Sequence, residues 1–291
     1  MSEEPQEIQT LQEEEQKKEA GILVVFRFIL VPLIVVSVVV FLIVLFGQMA
    51  LREKTVRDYL YDIRTGSQSE RWQAAYHLSN LLANPKKDYE TEARKQLPEM
   101  ILIFRNTKGN DPQIRRYMAL ALGRLKDPRA VPALQEAMND EDSQTVIWCI
   151  WGLGSIGDKS AVPGIIEKLE DSDSAIRSMS AYVLGAIQDP RAVPPLQAHL
   201  DDATAEVSWN SAIALARMNN ASGADVLLKI MHRDYLAGFL QMSEQNKEEL
   251  MINAIKVSAK LGDPPLTQLI KTLSGSDPSP RVRDAAIKAL E

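Results

Sequence analysis

The chain has 291 residues, a length that allows one or two domains. It carries 33 basic and 39 acidic residues, and a net charge of −6 disfavours generic nucleic-acid binding, which needs a basic surplus. Cys149 is the only cysteine in the sequence, which excludes an internal disulfide, a cysteine-rich zinc site and an iron–sulfur cluster.

The N-terminal part of the sequence has the pattern of a membrane anchor. Residues 1–20 contain seven glutamates and two lysines and are predicted to form an acidic disordered tail. Residues 28–46 carry no charge, so we predict a transmembrane helix over 21–47. A cleaved signal peptide is the alternative, but it should begin with a basic region and contain a shorter apolar stretch.

Residues 48–68 are predicted to be a juxtamembrane helix or linker. Three basic residues lie shortly before the predicted span and four lie shortly after it: Lys17, Lys18 and Arg27, then Arg52, Lys54, Arg57 and Arg64. The positive-inside rule then places the C-terminal domain in the cytoplasm. We therefore expect a single-pass membrane protein with a cytoplasmic main domain.

The middle of the chain contains an internal repeat. Motifs of the form Asp-x-x-Ala-Val-Pro begin at Asp127, Asp158 and Asp189, which are 31 residues apart. Glycines preceded by leucine keep the same period, at Gly123, Gly154 and Gly185. Three or more copies of one period indicate a repeat architecture in which neighbouring units bury a continuous core.

Each repeat is predicted to contain two helices. The aspartate caps the first helix, and a proline lies in its opening turn. The second helix has apolar residues at helical spacing, and Arg115 and Arg177 within it are expected to bridge to neighbouring aspartates. Degenerate copies extend the pattern in both directions. The sequence thus predicts an all-α solenoid of about seven helix pairs over 69–291.

The motif Asp111-Pro-Gln-Ile-Arg115, followed by Leu122-Gly123 and by Asp127-Pro-Arg-Ala-Val-Pro-Ala-Leu134, resembles HEAT repeats of the short type named after phycobilisome lyases. The resemblance is close over residues 110–231 and loose at 55–109 and 248–291. It implies an α-α superhelix of the HEAT/armadillo kind whose second helices line a concave surface. It also implies a binding scaffold, since such repeats mostly serve that purpose.

The sequence lacks motifs that the resemblance would require of certain enzymes built from such repeats. Deoxyhypusine hydroxylases hold iron through His-Glu dipeptides, and none of the three histidines here precedes a glutamate. No phosphate-binding loop, nucleophile elbow or zinc-protease motif occurs. A bilin-lyase-like enzyme remains an alternative by resemblance. We expect a protein that is not an enzyme and has no cofactor, metal ion or small-molecule substrate.

A helical wheel of the second helices predicts a partner-binding face. Large apolar and aromatic residues recur on the side that points away from the core, and the residues around 232–248, where the period lengthens by twelve, add two more. The predicted contact residues are Tyr117, Leu120, Trp148, Trp151, Met179, Tyr182, Trp209, Ile213, Tyr235 and Phe239. The alternatives are that neighbouring second helices bury these residues, and that the long period is a longer first helix.

These patterns predict a membrane-anchored scaffold or adaptor that binds a protein partner at the bilayer surface, as a subunit or adaptor of a larger membrane complex. Confinement to the bilayer raises the effective concentration of other membrane components, so a weak groove suffices. A structural or lipid-organising membrane protein is a further alternative.

Overall fold

A computed structural model describes residue 27 and residues 30–50, 53–83 and 86–291. The chain forms two compact units, Met1–Lys54 and Thr55–Glu291. The predicted acidic tail at 1–20, and residues 21–26 and 28–29 of the predicted span, lie outside the described residues. The regular secondary structure of the described residues consists of helices, without strands, which confirms the all-α prediction.

The first unit contributes one described helix, α1, over Val31–Ala50. It contains no charged residue, and its side chains from Val31 to Phe46 are exposed. Within the described ranges, no helix combines the length and the apolarity that a membrane crossing requires. The transmembrane helix predicted over 21–47 is therefore not supported by the helices described.

The second unit is a series of helix pairs. In chain order its helices are α2 (Val56–Thr65), α3 (Gln68–Leu81), α4 (Lys87–Asn106), α5 (Pro112–Leu125), α6 (Val131–Glu136), α7 (Ser143–Ile156), α8 (Val162–Glu167), α9 (Ser174–Ile187), α10 (Val193–Ala198), α11 (Ala205–Arg217), α12 (Ala224–Met231), α13 (Arg233–Ala237), α14 (Glu244–Ser258), α15 (Pro264–Ser276) and α16 (Pro280–Leu290). The second helices of the pairs are α3, α5, α7, α9, α11, α14 and α16. The helix pairs follow the predicted pattern.

The predicted caps of the first helices are confirmed. Asp127, Asp158, Asp189 and Asn220 each accept a hydrogen bond from the backbone N–H two residues further on, at 2.8–3.1 Å. Each bond starts a 3-10 turn that leads into a short α-helix. The repeated Asp or Asn therefore satisfies a backbone donor that the helix itself leaves free.

The second helices also end in a repeated way. Lys126, Gly157, Gln188 and Asn219 are 31 residues apart, and all have left-handed backbone, with φ of 50°, 76°, 56° and 57°. This conformation closes the helix by satisfying its last carbonyls. Since only one of the four is glycine, the left-handed conformation at this column could not be predicted from residue type.

The solenoid begins earlier than predicted. Val56, Leu60 and Ile63 of α2 are buried, and α2 packs against both α3 and α4. Residues 56–65, within the segment predicted as a juxtamembrane helix or linker over 48–68, thus form the first helix of a pair. Apolar residues at spacings of four and three give α2 one buried side, which needs a neighbour to cover it.

Arginine–aspartate pairs connect consecutive repeats, as predicted. The Nε atom of Arg115 donates to Asp140 at 2.6 Å, and that of Arg177 donates to Asp202 at 2.9 Å. Arg115 also donates to the carbonyl oxygen of Phe104. Each arginine lies on a second helix and each aspartate at the turn before the next second helix. The pairs therefore fix the register between neighbouring repeats.

Candidate partner-binding face

The second helices pack side by side through small residues. A Cβ atom built on Gly123 of α5 would lie 2.5 Å from the Cα atom of Gly152 on α7. A Cβ atom on Gly185 of α9 would lie 2.6 Å from the Cα atom of Ala214 on α11. Such distances leave no room for a side chain, so these glycines let the helix backbones approach closely. The spacing of residues on the face formed by these helices is fixed as a result.

A set of aromatic and thioether side chains lies partly accessible on these helices, and we name it the inner row: Tyr76, Tyr117, Trp148, Trp151, Met179 and Tyr182. Tyr76 and Tyr182 are exposed by 41% and 43%, and the other four are half-buried. Five of the six were predicted as contact residues.

Edge-to-face contacts hold members of the inner row together. The rings of Tyr76 and Tyr117 lie 5.3 Å apart, and those of Trp148 and Trp151 lie 6.2 Å apart. Trp151 also covers Gly123, since its ring would lie 3.1 Å from a Cβ atom there. These contacts orient the aromatic groups before any partner is bound.

Three of the predicted contact residues are buried, which corrects the prediction for them. Leu120, Trp209 and Ile213 are exposed by 8%, 2% and 3%. Leu120 lies on α5, which has α3 and α7 packed on either side, and Ile213 lies on α11 against α9 and α14. The lateral packing that the sequence left open as an alternative therefore applies to these two residues.

The lengthened repeat explains the burial of Trp209. It forms the short helix α13 and a following turn, rather than a longer first helix. Phe239 and Tyr235 pack edge-on against Trp209, with ring centroids 4.7 and 6.3 Å away, and the indole N–H of Trp209 donates to the Tyr235 hydroxyl at 3.2 Å. The predicted contact residues Tyr235 and Phe239 are thus half-buried parts of an internal aromatic cluster.

Charged side chains border the inner row. The guanidinium of Arg217 lies 5.5 Å above the ring of Tyr182, and no ion pair is found for Arg217 among the residues described. Arg124 donates to the backbone carbonyl of Ser79 at the end of α3, and burial lowers the pKa of this arginine. Hydrogen bonds from Arg116 lower the pKa of Asp142 to about 2, so this pair is charged at neutral pH.

The structure adds two features that the sequence patterns missed. Tyr76 is 41 residues before Tyr117 rather than 31, so the period did not find it, although it lies within the predicted solenoid. Arg217 was missed because the wheel was searched for apolar residues.

Other reactive groups are few in the described part of the chain. Cys149 is buried within α7, and burial raises the pKa of its thiol, so it packs as a small apolar side chain. No group of three or more His, Cys, Asp or Glu side chains that could hold a metal ion is found among the residues described.

Comparison with known proteins identifies the repeats. The family profile of HEAT repeats matches residues 100–167 and 162–238. These residues are HEAT repeats. The predicted resemblance is thereby confirmed for the HEAT repeats of the middle of the chain. No curated protein matches the sequence significantly.

Two solved structures share the HEAT solenoid. The complex of CpcE and CpcF of phycocyanin lyase from Nostoc sp. PCC7120 is 20% identical, with a TM-score of 0.54, and the match covers 82% of this chain and 96% of that one. YibA from E. coli is 17% identical, with a TM-score of 0.55, over 84% of this chain and 83% of that one. At these identities the likeness concerns the fold alone.

Proposed function

We propose that this protein is a non-catalytic scaffold that binds a protein partner through the inner row. The observation that carries the proposal is the set of accessible aromatic side chains on consecutive second helices, held in place by their own contacts. Aromatic side chains and arginine are enriched where proteins bind each other tightly. Arg217, above the ring of Tyr182, adds a cation to the same surface.

The rigidity of the helices supports this proposal. Gly123 and Gly152 bring α5 and α7 into direct backbone contact, so the aromatic groups on these helices have little freedom to move apart. A preformed surface loses less conformational entropy on binding than a flexible one, so fewer contacts give a useful affinity.

A photo-crosslinking experiment in intact membranes tests the proposal. A photoreactive amino acid replaces Tyr182 in one variant and Tyr61 in a control variant. Tyr61 is 67% exposed and lies on the first helix α2, which carries no residue of the inner row. We expect a discrete protein adduct from position 182 only, and its loss when Trp148→Ala is added. Equal adducts from both positions, or none from position 182, would contradict the proposal.

We further propose that the segment around α1 associates with the membrane as a single span, with the solenoid in the cytoplasm. Support comes from the sequence, in which residues 28–46 carry no charge and basic residues are slightly more numerous after this run. Alkaline carbonate extraction should leave the protein in the membrane fraction. A C-terminal alkaline phosphatase fusion should be inactive, and activity would reverse the proposed orientation.

Two alternatives lead to different results in the same preparations. A lyase acting on a pigment would co-purify with coloured material, but a likeness of 20% identity to a phycocyanin lyase does not extend that activity to this chain. A lipid-organising protein would give no protein adduct from the inner row.

A further inference from the structure

We propose that a cleft between α14 and α16 binds an acidic polypeptide segment. The cleft has a volume of about 550 Å³ and lies between the second helices of the last two pairs. Four basic side chains line it, Lys256, Lys260, Arg281 and Lys288, together with one acidic side chain, Asp284. The remaining lining side chains are one isoleucine and three alanines.

Lys256 of α14 and Lys260, which follows the end of that helix, provide the positive charge that a ligand would meet. Asp284 is already paired with Lys288, at 2.7 Å. No ion pair is found for Lys256 or Lys260 among the residues described, and both side chains are exposed. The single carboxylate in the cleft therefore does not neutralise these two ammonium groups.

Arg281 on the other wall is only weakly engaged. Its guanidinium nitrogens lie 3.7 Å from Glu248 and 3.6 Å from Glu249, and its side chain is 54% exposed. Exposed pairs at such distances contribute little and exchange readily with other carboxylates. Arg281 can therefore turn to a carboxylate bound in the cleft.

The lining chemistry favours a polypeptide carboxylate. Ile252 and the three alanines give the same lining an apolar part, which suits the methylene groups of a glutamate side chain below its carboxylate. The cleft also belongs to the second helices, the class of helix that carries the inner row. This inference rests on the proposed function in one respect, which is that the ligand is a protein.

A peptide-binding experiment tests the inference on the full-length protein in non-ionic detergent micelles. The probe is fluorescein-labelled octaglutamate, with labelled octalysine as the opposite charge, and anisotropy is the readout. We expect octaglutamate to bind and octalysine not to bind. Since the attraction is between exposed charges, binding should weaken steeply between about 0.05 and about 0.5 M salt.

The matched variants are Lys256→Glu with Lys260→Glu, and Lys229→Glu with Lys271→Glu as the control. The control lysines are exposed on the first helices α12 and α15, so the change in net charge is identical. We expect the affinity for octaglutamate to fall at least about tenfold in the first variant and to stay unchanged in the control. The neutral pair Lys256→Gln with Lys260→Gln should give an intermediate loss if the first variant fails to fold.

Three results would overturn the inference. The first is no binding of octaglutamate at low salt, and the second is an equal loss of affinity in the control variant. The third is complete displacement of the labelled peptide by inorganic phosphate, or by phosphatidylglycerol in mixed micelles, at a lower concentration than unlabelled octaglutamate requires. Failure of the inner row to crosslink a protein, with peptide binding intact, would instead refute the proposed function alone.

Discussion

Replacing Gly123 by alanine tests whether close backbone packing of the second helices determines the stability of the solenoid. The new methyl group would lie 2.5 Å from the Cα atom of Gly152 and 3.1 Å from the ring of Trp151. The Cα atom of Gly152 belongs to the backbone, so it cannot move away by a rotamer change as the end of a side chain can. Helices α5 and α7 must therefore separate.

The expected cost follows from two opposing effects. Insertion of a methyl group into a filled core costs about 1–3 kcal/mol. Replacement of glycine by alanine inside a helix returns about 1 kcal/mol, because glycine loses more backbone entropy on folding. The net loss of roughly 0–2 kcal/mol should lower the Tm by up to about 8 °C, at about 2–4 °C per kcal/mol for a unit of this size.

Thermal melting followed by far-UV circular dichroism gives the Tm, and Gly275→Ala is the control. Gly275 lies in α15 with nothing within 4 Å of a Cβ atom, so the same substitution there should leave the Tm unchanged or raise it. Tryptophan emission of Gly123→Ala should also shift to the red as Trp151 is displaced. Equal Tm changes for the two variants would refute the reasoning.

Two further predictions concern charged pairs. Arg115→Ala leaves Asp140 buried without its partner and should lower the free energy of unfolding by about 3–5 kcal/mol. Arg64→Ala breaks an exposed ion pair and should lower it by less than about 1 kcal/mol. Urea unfolding measures both variants, and similar losses would contradict the value expected for Arg115→Ala. Hydrogen bonds from neighbouring arginines lower the pKa of Asp142 and Asp189 from 3.8 to about 2. The stability that these carboxylates provide is therefore present above about pH 4 and should be lost as the pH falls toward 2. Urea titrations at a series of pH values should show this loss, and the dependence on pH should be weaker in Asp142→Asn.

The repeated part of the fold could be predicted because every copy keeps the same residues for the same physical task. Asp127, Asp158 and Asp189 recur at a fixed spacing because each must start a first helix with the same hydrogen bond. Arg115 and Arg177 recur because each must reach an aspartate of the next repeat. Residues that make the same local contact in every repeat can be predicted from their spacing alone, without the positions of distant residues.

Burial on the side of a second helix that carries the inner row could not be predicted in the same way. The wheel placed Trp151 and Trp209 on that side alike, but only Trp209 has Phe239 above it. What covers a residue depends on a segment whose position is set by tertiary contacts. The predicted solenoid also left out α2, because its buried residues Val56 and Leu60 lie where the resemblance to the repeat is loose.

The lengthened repeat gives the second-helix face two chemically different parts. Tyr235 and Phe239, themselves half-buried, cover Trp209, so the partly accessible aromatic residues of the second helices end on α9, where Tyr182 lies beneath Arg217 of α11. Beyond the covered tryptophan, the cleft between α14 and α16 has a basic rather than an aromatic lining. A single partner that used both parts would need an aromatic or apolar segment and a separate acidic one.

Arg233 explains why the covering segment stays in place. It donates to the buried carboxylate of Asp277 at 2.7 and 2.8 Å, which attaches α13 to the turn between α15 and α16. Asp277 also accepts from the backbone N–H of Ser279, so the same carboxylate starts the last helix. The segment that covers Trp209 is thus attached to the turn that leads into α16, one wall of the basic cleft, and loss of this ion pair would disturb both parts of the face together.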